Sequence, residues 1–147
     1  MTWTASKTRA IRASLAVVGL AGLAVSTYLT VERALRRAPS CVVGGGCTVV
    51  QGSRYSELAG VPVAWLGIAA YLGIIVAAAM PGIQGALLGL FVTVLSVGLS
   101  GWLTYVELAI IKEVCAWCVI SAILTVIAFG LSLTRLASVT HVEPVGA

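Results

Sequence analysis

Charge is scarce in this sequence: 10% of its 147 residues are charged, whereas 60% are apolar. Soluble domains carry charge on about a quarter of their residues. The low charge of this sequence and its mean hydropathy of +1.08 together exclude a soluble globule. We expect an all-α integral membrane protein whose single membrane domain covers residues 1–147. No nucleic-acid partner is expected, because the Lys and Arg residues are scattered and flank apolar runs rather than forming a patch.

Several apolar runs approach or exceed the roughly 20 residues that a helix needs to cross a bilayer. They predict a four-transmembrane-helix bundle with spans at about residues 13–31, 63–80, 85–111 and 116–134 and a long loop at 32–62. The first run resembles a signal peptide, but its length and the lack of a small-x-small cleavage site favour a membrane helix.

Two segments outside the spans carry weaker signals. In the long loop, Tyr55, Leu58 and Ala59 predict a short amphipathic turn on the membrane surface. After Arg135 we expect a polar tail, which contains His141, Glu143 and Pro144.

Parity determines which loops meet. In a four-span bundle the first and third connections lie on one side of the membrane, so Cys41 and Cys47 face Cys115 and Cys118. The positive-inside count does not decide the orientation. On one side are Lys7, Arg9, Arg12 and Arg135, and on the other are Arg33, Arg36, Arg37, Arg54 and Lys112. Because the cytosol keeps thiols reduced, we expect the cysteine loops of this multi-pass cell-membrane protein on the extracytoplasmic side.

The cysteines form two pairs, C-V-V-G-G-G-C (41–47) and C-A-W-C (115–118), which allow three interpretations. The first is two structural disulfides. The second is a zinc site, which the spacing disfavours because all-cysteine sites usually combine two C-x2-C pairs and no histidine lies nearby. The third is thiol–disulfide exchange, since a helix N-terminus stabilises one thiolate of a C-x-x-C.

The exchange interpretation also explains the glycines between Cys41 and Cys47, which give that pair the mobility that sulfur transfer needs. Two dithiol pairs on one surface, above an apolar bundle, indicate a relay of two electrons toward an acceptor in the membrane. A lipid quinone is the natural acceptor.

The sequence resembles a known family, the vitamin K epoxide reductase family. The resemblance covers about residues 14–134 and rests on the order of Y-L-T-V-E-R (28–33), C-T-V-V-Q-G-S-R-Y (47–55), G-V-P-V-A-W-L-G-I-A-A-Y (60–71) and C-A-W-C-V-I-S (115–121). It implies a four-helix bundle around a quinone with the C-x-x-C at its mouth. The DsbB family also joins disulfides to quinones, but its two pairs stand in the reverse order.

The resemblance implies a role for each sulfur. Cys118 faces the quinone with Cys115 as its partner, Cys47 exchanges with Cys115, and Cys41 meets the outside redox protein; spacing alone does not distinguish Cys41 from Cys47. Ser53 matches a serine that follows the second loop cysteine in the family, and we expect it or loop water to help deliver protons.

The resemblance also implies a quinone site, which we expect at Val50, Gln51, Tyr55, Val63, Leu66 and Ala122. Animal members of the family place an asparagine and a tyrosine at the positions of Val63 and Ala122, where they bond the quinone oxygens. Valine and alanine cannot donate such bonds. This favours reduction of a quinone, of menaquinone, ubiquinone or vitamin K type, over reduction of an epoxide. No metal cofactor is expected.

The predicted function is therefore a membrane thiol oxidoreductase that oxidises a thioredoxin-fold, DsbA-like protein and reduces a membrane quinone. We expect a separate partner, because only about a dozen residues follow Arg135. The alternatives are a vitamin K epoxide reductase proper and a non-catalytic four-helix membrane protein with structural disulfides.

Two further residues have alternative interpretations. Glu107 either relays protons or extends to the membrane interface near Lys112. Trp117, between the paired cysteines, is the aromatic residue best placed to line a quinone pocket, although aromatics near helix ends are commonly interfacial anchors.

Overall fold

The computed structural model describes residues 2–142 and consists mainly of long helices. These helices are α1 (Thr2–Ala34), α3 (Val63–Ala79), α4 (Gly82–Tyr105) and α5 (Ala116–Val142), and α4 continues into a π-helical segment (Val106–Ile111). Between α1 and α3 lie a short helix α2 (Gly46–Gly52), a 3-10 turn (Arg54–Ser56) and an antiparallel hairpin of β1 (Glu57–Leu58) and β2 (Val61–Pro62). The predicted helical architecture is confirmed, with one small hairpin added in the long loop.

The long helices pack as a ring in which each touches two neighbours. Helix α1 packs against α3 and α5, and α4 completes the ring by packing against the same two helices. The core cluster comprises Leu15, Tyr71, Ile74, Ala78 and Ala128. This packing closes the bundle and places the start of α3 and the start of α5 at the same end.

The outer faces of the helices are apolar and exposed. Val17 on α1, Val76 on α3, Phe91 on α4 and Val126 on α5 each leave at least half of their surface uncovered. An apolar surface of this extent is unfavourable in water but suits a lipid environment.

Three described helices are long and apolar enough to cross a membrane: Ala5–Ala34, Gly82–Ile111 and Ala116–His141. Helix α3 is equally apolar but has 17 residues. Together with the exposed apolar faces, these helices identify a membrane protein. The fourth predicted span stays a prediction.

Two arginines close the C-terminal end of α3, where the last carbonyls of a helix lack intrahelical partners. Arg12 of α1 donates to the Ala78 and Ala79 carbonyls at 2.8 and 2.7 Å. Arg135 of α5, which is 1% exposed, donates to the carbonyls of Ala77 and Met80 at 2.6 and 2.5 Å. The two side chains thereby tie the end of α3 to its neighbour α1 and, across the ring, to α5.

The expectation of a polar tail after Arg135 is wrong for the residues that can be described. Helix α5 continues through Arg135 and His141 to Val142, and Arg135 faces inward because it caps α3. The predicted tail residues Glu143 and Pro144 lie outside the described residues.

The amphipathic turn predicted around Tyr55 and Leu58 is also wrong. Tyr55 lies in the 3-10 turn, whereas Leu58 pairs with Val61 in the hairpin. A two-residue connection at Ala59 and Gly60 lets the two short strands satisfy each other's backbone groups.

We expect Arg135→Met to destabilise the protein. Methionine retains the length of the aliphatic stem but removes both donors from buried carbonyls, at a cost of about 2 to 3 kcal/mol. Thermal unfolding in detergent micelles, compared with the exposed control Arg9→Met, measures the effect. Equal stability of the two variants would contradict the assigned role of Arg135.

Candidate active site

All four cysteines of the chain lie in one cluster at one end of the bundle. Cys47 and Cys115 are fully buried, and Cys41 and Cys118 pack against them. Cys41 and Cys47 form a disulfide with a Cα–Cα distance of 5.8 Å. Cys115 and Cys118 are free thiols. The two loops therefore meet as parity predicts, with one oxidised and one reduced pair in contact through Cys47 and Cys115.

Gly46 lets α2 approach the second cysteine pair. A Cβ atom built on Gly46 would lie 2.3 Å from the carbonyl oxygen of Val114, so any side chain would push α2 away. Cys47 follows Gly46 at the start of α2, and Cys115 follows Val114. The close contact thus positions both sulfurs. The glycine run predicts mobility for the loop pair, but Gly46 serves close packing, whereas a Cβ on Gly44 or Gly45 would meet open space.

A latch of three residues, Tyr28, Ser40 and Trp117, holds the segment that leads into Cys41. The Trp117 indole N–H donates to the Ser40 carbonyl at 2.8 Å, and the Ser40 N–H donates to the Tyr28 hydroxyl at 3.1 Å. The Tyr28 and Trp117 rings lie 5.1 Å apart. Trp117 does not line the cavity described next, so its expected place on a quinone pocket is not what the described residues show.

A partly open cavity lies within the bundle next to the cysteine cluster. Cys118 contributes to its wall. The wall is largely apolar and includes Leu29 of α1, Leu99 and Leu103 of α4, and Ile111 of the π-helical segment. Cys118 is therefore the sulfur that connects the cysteine cluster with a space inside the membrane domain.

The cavity contains most of the residues expected to bind a quinone. Its wall includes the predicted residues Val50, Gln51, Ser53, Tyr55, Val63 and Leu66. Ala122 is not among the described wall residues; Ser121 and Thr125 of the same helix are. Successive residues differ by about 100° around a helix, and this rotation turns the Ala122 side chain away.

Polar groups approach Cys118 from two sides. The Gln51 amide donates to the Cys118 sulfur at 3.9 Å. The Glu107 carboxylate, which also lies near Cys118, accepts the backbone N–H of Cys115 at 3.2 Å. Glu107 is 4% exposed and belongs to the cavity wall, so it does not extend to the interface beside Lys112.

The pKa of the Cys115 thiol is lowered to about 7, chiefly because the Cys118 thiol hydrogen-bonds to it. Burial and the negative charge of Glu107 act in the opposite direction. At neutral pH a substantial fraction of Cys115 is therefore thiolate, the reactive form in disulfide exchange.

Other hydroxyls of the cavity wall are engaged with protein atoms. The Ser53 hydroxyl donates to the Val50 carbonyl at 2.8 Å. The Tyr71 hydroxyl lies 2.8 Å from the Ser121 hydroxyl and donates to the Ser121 carbonyl at 3.0 Å. Gly22 makes room for the Tyr71 ring, since a Cβ there would lie 2.0 Å from a ring carbon.

A family model described as the vitamin K epoxide reductase family matches residues 13–133. This chain belongs to that family. Membership, together with the long apolar helices, identifies a membrane oxidoreductase of the thiol and quinone class, and the cysteine cluster beside the cavity is its candidate active site.

In this family member, the motif that spans residues 60–71 ends at Tyr71. Aromatic residues near helix ends are commonly interfacial anchors, but Tyr71 is 1% exposed and reaches the cavity wall. The sequence feature related to the burial of Tyr71 is Gly22, whose missing side chain leaves space for the ring. The sequence does not show that the two residues are in contact, because they are far apart in the chain.

We expect Trp117→Phe to loosen the loop that carries Cys41. Phenylalanine keeps a ring against Tyr28 but removes the indole donor, a loss of about 0.5 to 1.5 kcal/mol that raises local opening about two- to tenfold. Amide hydrogen exchange of residues 40–46 measures this. Trp102→Phe, an exposed position on α4, is the control. Identical exchange in the two variants would show that the latch does not hold the loop.

Proposed function

We propose that this protein is a quinone-dependent thiol oxidoreductase that drives disulfide formation. It takes two electrons from a separate thioredoxin-fold, DsbA-like protein and passes them through the two cysteine pairs to a membrane quinone. The observation that carries the proposal is the position of Cys118, which belongs both to the cysteine cluster and to the cavity wall. A purely structural disulfide would have no need of a neighbouring free dithiol that faces such a cavity.

The electrons and bonds balance at each exchange. A partner thiolate attacks Cys41 and displaces Cys47, and the second partner thiol then closes the partner's disulfide. The Cys47 thiolate attacks Cys115 of a Cys115–Cys118 disulfide and displaces Cys118. Cys41 then attacks Cys47, which restores the loop disulfide and releases Cys115. The bonded loop pair beside two free thiols corresponds to the state that precedes quinone reduction.

The loop supports this order. Cys41 is partly accessible and is followed by Val42 and Val43, whose exposures are 67% and 74%. Cys47 is completely buried against Cys115. Cys41 is therefore the sulfur that an outside protein reaches first, while Cys47 is the one in contact with the second pair.

The cavity fits a quinone ring in polarity. Small-molecule sites are mostly apolar, and so is the wall of this cavity. Val63 on its wall offers no hydrogen bond. We propose that the quinone is held mainly by apolar contact, worth about 25 cal/mol for each Å² removed from water. This favours simple quinone reduction over epoxide reduction.

We also propose that α3 is the fourth span. Its 17 residues, at about 1.5 Å each, give a rise of about 25 Å, near the lower limit for a span. Arg12 and Arg135 satisfy the carbonyls at its end, which lets a short helix terminate inside the bundle without exposing unpaired backbone.

The test of the function is quinol formation by purified protein. Reduced protein mixed with a soluble quinone should lose one dithiol for each quinol formed, and Cys118→Ala should abolish turnover. Because that variant lacks the resolving sulfur, it should accumulate a Cys47–Cys115 bridge, detected by non-reducing peptide mapping.

The matched control is the double variant Cys41→Ala with Cys47→Ala. It retains the C-x-x-C and should reduce quinone with a small dithiol as donor but not with a thioredoxin-fold protein. Wild-type protein that forms no quinol would rule out the proposed function, and turnover of vitamin K epoxide alone would favour the epoxide reductase.

The cysteine end of the bundle should be extracytoplasmic, because the cytosol would keep the Cys41–Cys47 pair reduced. A membrane-impermeant maleimide applied to reduced intact cells should label Cys41. The control is Gln84→Cys in a protein without other cysteines, since Gln84 is exposed in the first turn of α4, at the opposite end of the bundle. Labelling of Gln84→Cys but not of Cys41 before lysis would reverse the orientation.

A further inference from the structure

Glu107 is a carboxyl group buried inside an apolar helix. It lies in the helical stretch Gly82–Ile111, which is apolar enough to cross a membrane, and is 4% exposed. Among the described residues, the ion pair is between Arg33 and Glu57. In this part of the chain no Lys or Arg side chain forms an ion pair with the Glu107 carboxylate. Ionisable groups in such positions are costly and generally have a function.

The backbone around Glu107 directs it toward the C-x-x-C. Its carbonyl accepts the backbone N–H groups of Lys112 and Glu113, and its carboxylate accepts the N–H of Cys115. The π-helical segment and the linker after it therefore fold back around this one residue. π-Helical turns of this kind are frequent at functional sites.

Glu107 faces both a reacting sulfur and the proposed quinone space. Its carboxylate interacts with the Cys118 thiol, and it is the one carboxyl group among the described residues that line the cavity. The Ser53 and Tyr71 hydroxyls on the same wall donate to protein carbonyls. Reduction of a quinone to a quinol requires two protons as well as two electrons, and an apolar cavity contains little water to supply them.

We propose that Glu107 is a catalytic proton carrier that takes the proton of the Cys118 thiol and delivers it to a quinone oxygen. This inference rests on the proposed quinone reduction. The Cys115 thiolate and the Cys118 thiol form an S–S bond and give two electrons to the quinone. Glu107 transfers the Cys118 proton to one quinone oxygen, and water on the loop side supplies the second proton, which replaces the one that Cys115 released. Glu107 ends as the carboxylate that it was at the start.

Few other titratable groups surround Glu107, so its own protonation should be visible in the pH profile. The described groups packed around it are Cys115 just before α5, Cys118 of α5, Tyr71 of α3 and Tyr55 of the 3-10 turn. Lys112 and Glu113 follow it in the chain but are exposed. Because the carboxylate form of Glu107 accepts the proton, its protonation at low pH should lower turnover in addition to the loss that protonation of the Cys115 thiolate causes.

The test is Glu107→Gln, with Glu113→Gln as the matched control. Glutamine retains an oxygen that accepts the Cys115 N–H but cannot carry a proton. Loss of a general acid–base group typically costs about 100-fold or more in rate, so kcat for the quinone should fall by that factor, with KM changed less than about twofold. The part of the decline at low pH that protonation of Glu107 causes should disappear, which leaves only the decline from protonation of the Cys115 thiolate. Exchange between a thioredoxin-fold dithiol and the loop disulfide should continue. The exposed Glu113→Gln should match wild type.

Glu107→Asp separates proton transfer from folding. Aspartate keeps a carboxyl group, so this variant should retain part of the rate and the decline at low pH, whereas a purely structural role predicts that both variants lose stability together with activity. Wild type and Glu107→Gln with equal kcat and equal pH profiles would overturn the role of Glu107 and leave quinone reduction intact. Failure of wild type itself to form quinol would instead reject the proposed function.

Discussion

The contact between the Gly46 backbone and Val114 joins the two cysteine loops, and the rest of the site depends on it. It places Cys47 against Cys115 in a buried cluster. Two other contacts hold the same loop. Before Cys41, the Trp117 indole donates a hydrogen bond to the Ser40 carbonyl. After α2, Arg33 donates to the Ser56 hydroxyl at 2.9 Å and forms an ion pair with Glu57. A loop anchored at three points keeps its disulfide in register with the dithiol, while the exposed segment between Cys41 and Gly46 remains open to a partner.

The bundle satisfies most of its polar groups internally, as an apolar environment requires. Hydroxyls on the helices bond carbonyls of the preceding turn, as in Thr30, Thr93 and Ser96, and two arginines cap α3 at the end opposite the cysteines. These bonds serve stability. The polar groups that instead converge on Cys118 are Gln51 and Glu107, so the groups available for chemistry lie at one end and the structural cap lies at the other.

The residues predicted to bind a quinone show which features of the site a sequence motif can predict. Val63 and Leu66 lie on the cavity wall. They are three residues apart in the first turn of α3, within the motif at residues 60–71, and therefore share one face of the helix. Ala122 follows the C-x-x-C by one helical turn, yet its neighbours Ser121 and Thr125 face the cavity. A motif gives the spacing along a helix, whereas the face turned inward depends on how α5 packs against α1 and α4.

The sequence by itself determined the membrane class, the helical bundle and the meeting of the two cysteine pairs, because composition, run length and parity are properties of the chain that do not depend on packing detail. Only the tertiary structure decided that Gly46 serves close packing, that Arg135 turns inward to cap α3, that Trp117 latches the loop and that Glu107 is buried beside the dithiol. Each of these depends on a distance between segments far apart in the chain or on the rotation of one helix against another. Neither quantity is encoded in a local pattern of residues.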